Sequence, residues 1–82
     1  MSRKAKLLNK LLSKPKTFTY DELRSVLTSL GFEERQGRGS RVKFYNPTNN
    51  GLISLHKPHP GNELKKYTIE YVVATLNELE YT

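Results

Sequence analysis

Between Arg41 and His56 the chain reads RVKFYNPTNNGLISLH, and this run constrains the fold more than any other. Val42 and Phe44 alternate with Arg41, Lys43 and Tyr45, and Ile53 and Leu55 alternate with Leu52, Ser54 and His56. A period of two marks strands with one face inward and one outward. The intervening Pro47-Thr48-Asn49-Asn50-Gly51 is turn chemistry, with Asn and Gly able to take positive φ. The pattern predicts an antiparallel hairpin of strands Arg41–Asn46 and Leu52–His56. Its apolar set faces a core, and its other face carries Arg41, Lys43, Tyr45 and His56. A weaker strand over Phe32–Gln36 precedes it, joined by a Gly-flanked basic loop.

Helices are expected on both sides. Thr19 and Glu22 stand at capping-box spacing, with Phe18 and Leu23 placed for a hydrophobic staple. Leu23, Val26, Leu27 and Leu30 then recur with the helical period. Gly31 is placed to end that helix in a left-handed cap, with Phe32 packing back on Leu27. A last helix is expected from Thr68, as N-cap, to Leu79, with Ile69, Val72, Val73, Leu76 and Leu79 inward. A first helix is expected over Arg3–Ser13. Its Leu7, Leu8, Leu11 and Leu12 form one stripe beside Lys6, Lys10 and Lys14, and Pro15 ends it.

At 82 residues the chain is one small α+β unit. It divides into a basic N-terminal helix or arm, residues 1–16, and a compact domain, residues 17–82. No apolar run approaches the roughly 20 residues of a membrane span, and the N-terminus lacks the apolar core of a secretory signal. There is no Cys, which excludes disulfides, thiolate nucleophiles and Cys-ligated zinc. The carboxylates lack metal-ligand spacing. No metal, no cofactor and no membrane partner are expected, and a cytoplasmic address is the default.

The formal net charge is +6, and it is segregated. Residues 1–16 carry Arg3, Lys4, Lys6, Lys10, Lys14 and Lys16 and no acid; the strand region is also basic, whereas the segments of the two core helices are acidic. Such segregation favours a polyanion on one side of the molecule. The Lys-rich arm also fits a merely solvated face.

The order helix, strand, strand, strand, helix is the double-stranded-RNA-binding-like arrangement. The run LTSLGFEERQGRGSRVKFYNPTNNGLISLHKPHPGNELKKYTI further resembles the HicA (YcfA-like) toxins of HicA–HicB toxin–antitoxin systems. The resemblance covers roughly residues 19–79. It is carried by L-x-x-x-G-F at Leu27–Phe32, by Gly39-Ser40 with Phe44 four residues on, and by H-P-x-x-E-L-K-K-x-T from His59 to Thr68. It implies a small mRNA-degrading toxin neutralised by a HicB-like antitoxin that covers its active face. The family typically carries a catalytic histidine directly after Gly-Ser, and here that position is Arg41. His59 does match the family's later histidine.

Metal-independent RNA cleavage needs a base for the 2′-OH proton, an acid for the leaving 5′-oxygen, and cations for the developing charge. Imidazole ordinarily titrates near neutrality, so His59 and His56 are the acid–base candidates, with Arg41 as electrophile. Arg38, Ser40, Lys43, Lys57, Lys65 and Lys66 are the candidate RNA-binding residues, Lys65 and Lys66 lying just upstream of the last helix. Plainer readings stand beside these. His56 and His59 suit loop packing or a fixed turn. Arg41 and Lys43 suit edge charges that block strand pairing. Ser40 is either a turn residue or a phosphate donor, and Tyr45 either a packing ring or a stacking platform. Two function classes follow: an mRNA interferase, or a non-catalytic RNA-binding module of the same fold.

Overall fold

The computed structural model describes residues 3–58 and 61–81. The elements run α1 (Arg3–Leu12), α2 (Tyr20–Ser29), β1 (Glu33–Gln36), β2 (Arg41–Asn46), β3 (Gly51–His56) and α3 (Lys66–Glu78). The strands form one antiparallel sheet in the order β1-β2-β3. This is the expected α+β arrangement, an α-β-β-β-α core preceded by an additional helix.

α2 forms for the reasons its sequence supplies. Thr19 accepts from the Glu22 N–H at 3.1 Å, and Glu22 accepts from the Thr19 N–H at 3.0 Å, closing the capping box. At the other end Gly31 takes φ 97°. The Phe32 N–H donates to Leu27 O and the Gly31 N–H to Thr28 O, the paired bonds of a Schellman cap. α3 ends in the same motif, with Tyr81 N–H on Leu76 O and Glu80 N–H on Asn77 O. There the left-handed position is held by Glu80, at φ 64°.

The register is set by the two-residue alternation. Val42 pairs with Leu55 and Phe44 with Ile53, all buried; Arg41 pairs with His56, Lys43 with Ser54 and Tyr45 with Leu52 on the outward face. α2 and α3 close the inner face, so that Phe18, Leu23, Leu27, Phe44, Ile53, Ile69 and Leu76 form the centre of the core. α1 packs against α2 and α3. Its Leu11 is fully buried, and Leu7, Leu8 and Leu12 lie against the same cluster. Lys10 bridges to Glu22 at 3.0 Å and stands over the Phe18 ring.

Two expectations are corrected. Thr68 is not the N-cap of α3: that position is Lys65, and the helix begins at Lys66. The cause lies upstream. The Leu64 N–H donates to Phe18 O and the Tyr20 N–H to Asn62 O, each at 2.8 Å. Leu64 is itself buried. This short ladder pins the chain beside the start of α2 and forces the helix to start directly after it. In the β2–β3 turn the positive φ falls on Asn50 (58°), as its turn chemistry allows, while β3 begins at Gly51, one residue before the expected Leu52. Gly51 is already in β3, opposite Asn46. A Cβ there would meet Leu79 Cδ1 at 2.7 Å and Asn49 Oδ1 at 2.8 Å, so a larger residue would require those two side-chain ends to shift.

One buried polar side chain fixes the far end of the sheet. Asn46, 1% exposed, donates to Leu30 O at 3.1 Å and to Tyr81 Oη at 2.7 Å, and accepts from the Thr48 N–H at 2.9 Å. Hydrogen bonds thus satisfy a group whose burial would otherwise be costly. They tie α2, the hairpin and the segment after α3 into one unit.

Candidate nucleic-acid interface

The open face of the sheet is built by the outward residues of the hairpin and by the loop before it. The Gly37 N–H donates to Arg41 O at 2.8 Å, and the Arg41 N–H donates to Arg38 O at 3.2 Å. With Gly39 at φ 61°, these bonds close a tight turn that holds Arg38 beside Arg41. The Lys57 N–H donates to Ser40 O at 2.8 Å, extending the β2–β3 ladder one step past the Arg41–His56 pair. Ser40 Oγ thereby lies 3.1 Å from His56 Nδ1.

His56 is the point where three concavities meet. The first, about 480 Å³, is lined by Arg35, Arg38, Arg41, Lys43, Ser54 and His56, with Gln36, Gly37 and Leu55. Arg35 and Lys43 face each other across the β1–β2 ladder, an arrangement of like charges that costs stability unless an anion or solvent screens it. Arg35 is partly compensated by Glu33 Oε1 at 3.2 Å. The second concavity, about 260 Å³, lies between β3 and α3 and is lined by Ser54, Leu55, His56, Tyr67, Thr68 and Tyr71. The third, about 250 Å³, is bounded by Ser40, His56, Lys57, Lys65 and Thr68, among others.

The candidate residues fall into distinct places. Arg38, Arg41, Lys43 and His56 share the cationic groove, with Ser40 bonded to the imidazole from its rim. Lys65 lies across His56 in the third concavity, as N-cap of α3, with Lys66 the first helical residue. Lys65 makes no side-chain cap. Lys57 lines the same concavity, but its ammonium rests over the Tyr20 ring, 5.7 Å from the centroid. His59 lies outside the described residues. Tyr45 is half-buried, and its hydroxyl donates to Asn50 Oδ1 at 3.0 Å, so its ring is held by the hairpin it belongs to.

Behind the sheet, Tyr20 and Arg24 of α2 both engage Glu34 of β1: the Tyr20 hydroxyl donates to it, and Arg24 Nε lies 3.2 Å from its other oxygen. Burial, then the Glu34 carboxylate, pushes the Tyr20 phenol well above its ordinary range. These groups hold β1 against α2, and among the described residues the only acid paired with a basic side chain of the opposite face is Glu33. Among the described residues no three His, Asp or Glu side chains gather as a metal site, and no helix is long and apolar enough to cross a membrane.

Residues 20–77, well over half of the chain, match the family described as the HicA toxin of bacterial toxin–antitoxin systems. The chain belongs to the HicA toxin family. Comparisons with curated proteins and with solved structures returned no match. As a HicA toxin, the protein is the toxin member of a toxin–antitoxin pair and has an antitoxin as its partner. The matched span takes in α2, the whole sheet and nearly all of α3, and so all three concavities around His56. It leaves out α1.

Two features of this HicA site were missed by the sequence reading. Arg35 belongs to the cationic groove. Tyr67 and Tyr71, 69% and 42% exposed, stand one turn apart on α3 facing away from the Ile69, Val72, Val73 and Leu76 stripe. The signal was present: two aromatic residues at i and i+4, off the apolar stripe of their own helix.

Proposed function

We propose that this HicA toxin is a metal-independent endoribonuclease that cuts mRNA, with the cationic groove as the phosphate site and His56 as the general base. The observation that carries the reading is the meeting of the described imidazole, His56, with Arg38, Arg41 and Lys43 on one groove. Scission by this route is a transesterification. The 2′-oxygen bonds to the adjacent phosphorus, its proton passes to the base, and the bond to the 5′-oxygen breaks as that oxygen takes a proton from an acid. Acting as base through Nε2, His56 uses the tautomer in which its Nδ1–H donates to Ser40 Oγ, 3.1 Å away, so that Nε2 can accept the 2′-OH proton. Arg41 and Lys43 oppose the negative charge that develops on the phosphoryl oxygens. His59 is assigned the acid role on the strength of the H-P motif it shares with the family. Lys57, Lys65 and Lys66 seat flanking phosphates, and Arg38 grips the strand at the loop.

The same surface suits an acidic antitoxin segment, which would cover the groove and silence it; a HicB-like protein is the partner we propose. The products test the chemistry. Labelled mRNA incubated in EDTA should yield 2′,3′-cyclic phosphate and 5′-hydroxyl ends. Ends of the opposite kind, or a requirement for added divalent cation, would contradict the mechanism.

One observation favours a second reading. Arg41 stands where the family's histidine is expected, directly after Gly39-Ser40. If that imidazole is indispensable, the protein binds RNA on this face without cutting it. Salt-dependent binding of intact RNA is then the whole activity.

A further inference from the structure

We infer that the cleft between β3 and α3 is a nucleobase site, and that the toxin therefore takes RNA whose bases are unpaired. The inference rests on the RNA reading above and adds to it the class of substrate. The cleft differs in chemistry from the groove beside it. It is lined by Tyr67, Thr68 and Tyr71 of α3 and by Ser54, Leu55 and His56 of β3, with no Lys or Arg among them. Tyr71 is held in place: its hydroxyl accepts from the Ser54 N–H at 3.2 Å, bridging the helix to the open strand edge. Tyr67, one turn earlier, makes no such bond and is the most exposed large apolar side chain described.

The cleft and the cationic groove share Ser54, Leu55 and His56. A nucleotide has the same division: an anionic phosphate, a sugar between, and a flat apolar face. With the phosphate against Arg41 and Lys43 and the ribose at His56, the attached base reaches the Tyr67 ring. Stacking on an exposed aromatic side chain is the usual way that proteins hold single-stranded bases, and it tolerates any sequence. A base inside a duplex is already stacked and paired, so it cannot enter the cleft.

The chain contains no Trp, which makes the test direct. Affinities of the wild type, Tyr67→Ala and Tyr67→Trp are measured for a labelled single-stranded RNA, for its duplex, and for an abasic strand of equal length. Thermal melts establish that the variants fold. Tyr67→Ala should bind the single strand roughly 5- to 150-fold more weakly and the abasic strand and the duplex unchanged. Tyr67→Trp should keep its affinity, and the single strand, but not the abasic one, should quench its fluorescence. The inference is overturned if Tyr67→Ala binds the single strand as the wild type does, which would leave the tyrosines to a protein partner. Equal weakening for the abasic strand overturns it too. Wild-type protein that binds no single-stranded RNA would overturn the RNA reading itself, and shows before any variant is compared.

Discussion

His56 and Ser40 are joined across the β2–β3 ladder, Nδ1 to Oγ at 3.1 Å. The contact orients the imidazole, and general-base action at Nε2 requires the tautomer in which Nδ1–H donates to Ser40 Oγ. Ser40 is then a positioning residue. Ser40→Ala should lower kcat roughly five-fold, the worth of one neutral hydrogen bond of about 1 kcal/mol, with KM little changed. Ser40→Thr, which retains the hydroxyl, should restore the rate. Steady-state kinetics on the three proteins check this.

Arg41 and Lys43 are assigned to phosphate, and salt dependence reads that directly. Each replacement by Ala should reduce the slope of log affinity for single-stranded RNA against log salt by about 0.7. Arg24→Ala should leave it unchanged, because Arg24 is spent on Glu34 behind the sheet. Titrations at several salt concentrations distinguish the two kinds of arginine.

Much of the fold was legible in local signals. The Thr19–Glu22 box, the Gly31 cap and the alternation through Arg41–Asn46 and Leu52–His56 each depend on neighbours in sequence, and each stands as expected. The start of α3 was not legible. It is set by Leu64 pairing with Phe18, a contact between distant segments, and no side chain at Lys65 announces a cap. The site divides in the same way. Alternation alone put Arg41, Lys43 and His56 on one face. The Ser40–His56 contact needed the loop geometry, and the Tyr67–Tyr71 cleft needed the angle at which α3 crosses the strand edge.

Glu22 links two elements through one carboxylate. The backbone N–H of Thr19, and then Lys10, hold its pKa below the ordinary carboxylate value. A depressed pKa means that the stabilisation is full above the unfolded-state value, about 4.3, and is lost as pH falls through the lower folded-state value. Glu22→Gln should therefore lower stability at neutral pH and flatten the acid limb of the stability curve. Chemical denaturation of both proteins across the acid range measures the difference.

α1 lies outside the family match, yet Leu11 is buried completely among the core side chains. Leu11→Ala should cost about 2–5 kcal/mol, a large share of the stability of so small a domain. Lys6→Ala, on the exposed side of the same helix, should fall within about 0.5 kcal/mol of wild type. Urea midpoints of the two variants test whether the helix is part of the folded unit.

The central claim is that His56 performs metal-independent RNA cleavage at a groove in which Arg41 replaces the family's usual histidine. The direct measurement is cleavage of a labelled single-stranded mRNA in EDTA by the wild type, His56→Ala and His59→Ala, with folding of each confirmed by circular dichroism. The account predicts cleavage by the wild type and a loss of at least about 100-fold in folded His56→Ala, the size of a general-base contribution. Wild-type protein that binds the RNA and leaves it intact, or His56→Ala that cuts at the wild-type rate, would contradict it.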